Sequence, residues 1–286
     1  MRFIVLSVFS FITLFACAQP GTEVYLFSLT ATSEGYQVSN AQNISKNTGY
    51  DNQPSFSADG KTLYYTSWQQ NDQTDIIAYD LSDGTKQQVS NSDGGEYSPI
   101  EMPGGKKVST IILERDGRQL LWGYDLKSKK AEILVPEIVI GYHCWLDKKN
   151  LFSFVLGAPP TLQTHNIKKG TSEIIDEKIG RSLHKIPNQK AISFISKKNK
   201  DWAITKYDPK TGSKEVLVAT LSGSEDMCWT PAGDVIMGQG NELYFWRPGN
   251  DWQVFANLSN FDLEGITRLA VSPDGKKLAV VVSDPQ

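Results

Sequence analysis

One segment of this chain recurs near both of its ends. Residues 54–63 read Pro-Ser-Phe-Ser-Ala-Asp-Gly-Lys-Thr-Leu, and residues 269–278 read Leu-Ala-Val-Ser-Pro-Asp-Gly-Lys-Lys-Leu. Weaker copies run from Pro99 to Val108, His143 to Leu151, Leu183 to Ile192 and Met227 to Ile236, each around a turn containing Gly or Asn. Aligning Phe56, Glu101, Trp145, Lys185, Trp229 and Val271 gives a mean spacing of about 43 residues, the length of a four-stranded propeller blade. A unit of this size cannot bury its apolar face alone, so the copies must stack on one another.

A second column tests the alignment. Tyr79-Asp80, Tyr124-Asp125, His165-Asn166, Tyr207-Asp208 and Trp246-Arg247 each place a ring and then a polar turn residue at the end of a short strand. Between the two columns the pattern is strand, Asp-Gly-type turn, strand, polar loop, strand, turn, strand, which is a series of hairpins. No window between them keeps a helical apolar stripe, so the chain is expected to be almost entirely β. The last unit stops after two strands, Arg268 to Ser272 and Lys277 to Val282. The segments Glu23 to Ser28 and Tyr36 to Asn40 read as the missing third and fourth strands. Five complete units plus one shared between the termini make an all-β, six-bladed propeller of four-stranded blades, closed so that no sheet end is left open.

Composition agrees with a packed ring. Of the 286 residues 40% are hydrophobic and 21% charged, which excludes a disordered chain. A net charge of −3 lacks the basic excess that phosphate neutralisation needs, so nucleic acid is not an expected partner.

The N-terminus reads as an export signal: Met1-Arg2, an apolar run from Phe3 to Phe15, then Ala16-Cys17-Ala18-Gln19. The run is shorter than the roughly 20 apolar residues of a membrane span. Residues 1–18 are therefore expected to be a signal peptide and 19–286 a single propeller domain. Leu14-Phe15-Ala16-Cys17 also matches a lipoprotein box, so cleavage after Ala18 and lipidation of Cys17 are alternative expectations. A lipid on Cys17 would leave about six residues before the first strand, roughly 20 Å of extended chain, and would hold the domain peripherally at a membrane.

Ser-Pro-Asp-Gly-Lys-Lys-Leu at 272–278 and Asn52-Gln-Pro-Ser-Phe-Ser-Ala-Asp-Gly-Lys61 followed by Tyr64-Tyr-Thr-Ser67 resemble the repeat of TolB-type six-bladed β-propellers. The resemblance spans the mature chain, strongest in the first and last units. It implies the propeller fold, a first strand of each blade running along the central channel, and binding at a channel mouth.

Counting back from the anchor column, the residues expected at the mouth include Asn52, Tyr97, Tyr142, Arg181, Glu225, Asp226 and Arg268. Two readings of this ring stay open. Either Arg181 and Arg268 neutralise Glu225 and Asp226 near the axis, or charged donors and acceptors beside aromatic faces hold a peptide or a small polar ligand. No cofactor is expected, a calcium ion between Asn52 and Asp226 being the alternative. None of His143, His165 and His184 has a metal-ligand spacing; His165 falls in the ring column, and His143 and His184 lie on first strands of neighbouring blades. No nucleophile elbow is present. Cys144 and Cys228 hold the same repeat position two blades apart, too far for a disulfide, so both are expected free and buried. Lys197-Lys198-Asn199-Lys200 reads as a solvated loop tip.

These observations lead to an exported, monomeric propeller, periplasmic or anchored at the outer membrane of a Gram-negative cell, that binds an envelope protein, a peptide or another ligand. The alternative is an enzyme of lyase, lactonase or glycosidase type in the channel, metal-dependent or not.

Overall fold

The computed structural model describes residues 21–69 and 73–284. Residues 1–18 and Cys17 lie outside the described residues, as does most of the signal-peptide and lipidation question.

Six four-stranded antiparallel sheets form a closed ring. Blade 1 is built from Asp51–Phe56, Thr62–Gln69, Gln73–Asp80 and Lys86–Gln88, taken from the channel outwards. Blade 2 follows with Gly95–Glu101, Lys107–Leu113, Gln119–Asp125 and Ala131–Val135. Blade 3 comprises Ile140–Trp145, Asn150–Val155, Thr161–Asn166 and Thr171–Glu177. Blade 4 comprises Ile179–Lys185, Ile192–Ser196, Ala203–Asp208 and Ser213–Ala219. Blade 5 comprises Met227–Trp229, Val235–Gln239, Glu242–Trp246 and Gln253–Asn257. Blade 6 takes its two inner strands, Leu269–Val271 and Lys277–Ser283, from one end of the chain and its two outer strands, Thr22–Thr32 and Gly35–Asn43, from the other.

The closure is a continuous ladder in which Thr22 pairs with Ser283 and Phe27 with Leu278. Phe27 is fully buried in the same column as Tyr79, Tyr124 and Trp246, as the aromatic alignment requires. The tight turns are also as expected: Gly60 and Gly275 sit at φ 69° and 72°, a conformation that side chains with a Cβ rarely adopt. Among the described residues helix is confined to one turn of 3-10 geometry, Leu258–Phe261.

The core is divided among six apolar clusters, one between each pair of neighbouring blades. Between blades 3 and 4, for example, Phe152 and Leu162 meet Leu183, Ile192 and Phe194. Cross-blade polar staples reinforce the stacking at equivalent positions. The indole N–H of Trp145 donates to Ser109 of blade 2 at 2.9 Å, and that of Trp229 donates to Ser193 of blade 4 at 2.9 Å. Cys144 and Cys228 are free and buried, their thiols pushed above the usual range by burial.

Candidate functional site

The six innermost strands enclose a cavity of about 900 Å³ on the propeller axis. Its wall is largely apolar, with Phe56, Ile100, Leu183, Met227, Leu269 and Val271 among the side chains that line it. It opens between the turns that join first and second strands, at Ala58, Pro103, Lys148, Asn188, Pro231 and Pro273. Because blade strands alternate in direction, the turns joining third and fourth strands lie on this same face.

At the far end of the cavity the charged residues meet. Arg181 makes a two-pronged contact with Asp226, its Nε 3.1 Å from Oδ1 and its Nη2 2.5 Å from Oδ2. Arg268 donates to the same Asp226 Oδ1. A second Arg268 nitrogen donates to the Tyr142 hydroxyl at 2.9 Å, and the guanidinium lies over the Tyr142 ring, 4.8 Å from its centroid. Blades 3 and 6 face each other across the ring, so this arginine is a strut spanning the channel. Glu225 stands behind Arg181, accepting its backbone N–H at 3.1 Å and lying 3.4 Å from its Nε. Burial opposes the charge on Arg181, but the Asp226 carboxylate outweighs it and holds the guanidinium above its ordinary value. The cavity is thus a cup, with apolar sides and a floor of fixed charge.

The residues expected at the channel mouth divide into two groups. Tyr142, Arg181, Glu225, Asp226 and Arg268 come together as above, and the open space lies on the turn side of them rather than among the loops that precede the strands. Asn52 and Tyr97 do not line the cup. Asn52 is buried, donating to the Thr22 hydroxyl at 3.3 Å and accepting from the Gln53 backbone at 2.8 Å. Tyr97 packs edge-on against Tyr50 with ring centroids 6.3 Å apart. Their places in the lining are taken by Gln53 and Ser98, which have φ of 56° and 54°. In both blades the register slips at this point, between Asn52 and Ser55 and between Tyr97 and Ile100, so the inner strand bulges and presents the next residue to the channel. Gln53 uses the new position to accept from the Ser98 backbone at 2.7 Å and to donate to the Tyr50 hydroxyl at 3.2 Å. Tyr50 precedes the first strand, and burial pushes its phenol above the ordinary value, against the pull of Arg268.

The histidines hold structural positions. His143 lies 2.7 Å from the Ser109 hydroxyl, His165 lies 2.6 Å from Ser153 and 2.7 Å from Ser172, and His184 lies 3.0 Å from Ser182. Burial lowers their pKa values to about 3, about 4 and about 4, so all three are neutral near pH 7. Asp226 carries two guanidiniums, and the Asn52 amide donates to Thr22 while its oxygen accepts the Gln53 backbone N–H. Among the described residues no group of three or more His, Cys, Asp or Glu side chains is placed to hold a metal. The basic tip at 197–200 is a loop between two strands with Lys198, Asn199 and Lys200 exposed, as read from sequence, and two of its lysines also make ion pairs. Lys197 lies 2.8 Å from Glu225 and 3.8 Å from the Trp202 ring centroid, and Lys198 pairs with the buried Asp176.

No protein-family profile and no curated protein matches the sequence. Solved structures match it by shape. A putative TolB from Agrobacterium tumefaciens superposes with a TM-score of 0.71 at 15% identity, over 94% of this chain and 100% of that one. TolB from Acinetobacter baumannii gives 0.59 at 16% identity, over 92% of this chain and 64% of that longer one. A gluconolactonase from Xanthomonas campestris gives 0.67 at 9% identity, over 93% and 98%. TolB proteins and a gluconolactonase thus share the architecture, and at these identities the likeness is one of fold. With its six four-stranded blades, its shared closing blade and its Asp-Gly turns, the chain has the fold of a TolB-like six-bladed β-propeller.

Proposed function

We propose that this is an exported binding propeller, periplasmic or anchored at the outer membrane, that takes a peptide segment or a protein of the cell envelope into the cup of its channel. The observation that carries the reading is the cup itself: about 900 Å³, apolar along its sides and closed by a floor whose charges are already paired. An apolar cavity with a few fixed polar groups favours recognition of a shape and an orientation. The lining offers little for proton transfer. Glu101 accepts the Ala58 backbone at 2.8 Å, Asp147 accepts the Lys149 backbone at 2.7 Å, and His143 and His184 are tied to serines. Export rests on the basic, apolar and small-residue pattern of residues 1–18.

Ala58 is exposed at the rim, so Ala58→Trp would fill the entrance without disturbing the core. Partners captured by cross-linking in the native envelope are expected to be lost with Ala58→Trp and kept with Val216→Trp, which alters an outer-strand residue 68% exposed. An unchanged set of partners with Ala58→Trp would move the site to the rim of the blades.

A further inference from the structure

The face onto which the cup opens is strongly unequal in charge. In blades 2, 3 and 4 its turns are residues 102–107, 125–130, 146–150, 166–170, 186–190 and 208–212, and together they carry eleven lysines against three aspartates. The corresponding turns of blades 5, 6 and 1, residues 230–234, 246–251, 272–276, 32–35, 57–61 and 80–85, carry three basic and seven acidic residues. Half of one face is therefore basic in a chain whose net charge is −3. Lys106, Lys130, Lys148, Lys169, Lys190 and Lys210 are all exposed, and none of them forms an ion pair among the described residues. The three aspartates cap their own turns, Asp125 accepting the Ser128 backbone at 2.8 Å, Asp147 the Lys149 backbone at 2.7 Å and Asp208 the Lys210 backbone at 2.8 Å, and their charges leave the lysines in excess by eight.

Uncompensated charge of one sign, gathered beside an open cavity, raises the local concentration of an oppositely charged partner and speeds its capture. Lys148 belongs to both features, since it lines the cup and projects from the lysine-bearing turns. We infer that the basic sector of blades 2 to 4 is a docking surface for an acidic polypeptide segment, whose carboxylates lie along the lysines while an apolar side chain enters the cup. The inference rests on the cup being the binding site and adds the chemical class of its occupant. Two observations favour a polypeptide over an anionic lipid surface. A flat bilayer would cover the lysines and leave the apolar cup unfilled. The strand Thr22–Thr32 begins at the opposite face, which places Thr22 away from the lysines.

The test uses the whole mature protein with poly-L-glutamate as probe, and vesicles of mixed phosphatidylglycerol and phosphatidylcholine in parallel. Poly-L-glutamate is expected to bind at low ionic strength and to weaken as salt is added. The combined variant Lys106→Glu, Lys130→Glu, Lys148→Glu and Lys169→Glu should weaken that binding by on the order of tenfold or more. The control Lys61→Glu with Lys276→Glu, on the same face in blades 1 and 6, should change it little. Ala58→Trp should leave it intact, because the probe has no apolar anchor; loss of partner capture with retained polyglutamate binding would thus separate the cup from the sector. The inference is overturned if poly-L-glutamate does not bind, if the four-lysine variant binds it as well as the parent, or if the anionic vesicles compete it away.

Discussion

At the residue scale the floor of the cup turns on Asp226. Its side chain is 10% exposed and holds two guanidiniums, one of which spans the channel to Tyr142. Removing one member of such a pair leaves charge behind in a place where water reaches poorly, a loss far larger than that of a surface ion pair. Asp226→Ala is therefore expected to cost about 3 kcal/mol in urea unfolding, and Asp226→Asn less, because the amide oxygen still accepts from one arginine. A cost within a few tenths for Asp226→Ala would mean that the floor relaxes into solvent. The same scale shows where the sequence was legible. Arg181 lies on the inner strand of blade 4, Glu225, Asp226 and Arg268 immediately precede the inner strands of blades 5 and 6, and the four meet as the repeat alignment places them. Asn52 and Tyr97 miss the cup because each is followed by a bulge ahead of a proline, at Gln53-Pro54 and Ser98-Pro99. Gln53 and Ser98, which do line the cup, stand three residues before the anchor column, the same position as Tyr142, Asp226 and Arg268. Tyr50 lies outside any strand, so the repeat carried no signal for it.

At the scale of elements the blades were readable because each is punctuated by turn chemistry and a ring column. What lies between blades was not. Glu96, on the inner strand of blade 2, is fully buried, accepting from the Ser92 backbone at 3.1 Å and the Tyr124 hydroxyl at 3.0 Å. Burial raises its pKa from 4.5 to about 7, with the charge of Asp75 on blade 1 adding to the rise. Asp51 is raised to about 7 in the same way, first by burial and then by Glu23. A carboxyl whose folded pKa lies above its unfolded value binds its proton more tightly when folded. Its contribution is fully present below the unfolded pKa and is lost as pH rises through the folded one. Stability should accordingly fall between about pH 4.5 and about pH 7 through these two groups. The histidines act in the opposite sense, because their lowered pKa values withdraw stability as pH drops below 6.5. Urea unfolding of Glu96→Gln across pH 4.5 to 8 should show a shallower fall than the parent, and Glu96→Gln with Asp51→Asn a shallower one still. An unchanged slope in the double variant would place the titration elsewhere.

At the scale of the molecule the ring explains why fold and function were legible to such different degrees. The repeat dictates a closed propeller, and closure with strands from both ends of the chain fixes the channel, its cup and the face onto which the cup opens. None of that chooses a ligand. Chemistry enters through departures from the repeat: the strut of Arg268 on Tyr142 and the lysines gathered on three of the six blades. The cup is the claim on which the rest depends, and site-resolved photo-cross-linking tests it most directly. A benzophenone side chain placed at Ala58, on the lip of the cup, and separately at Val216, on an outer strand, would be activated in intact cells and the adducts identified by mass spectrometry. The expected result is a discrete adduct from position 58 that is missing from position 216 and abolished by competing ligand. Adducts from position 216 with none from position 58 would contradict the account.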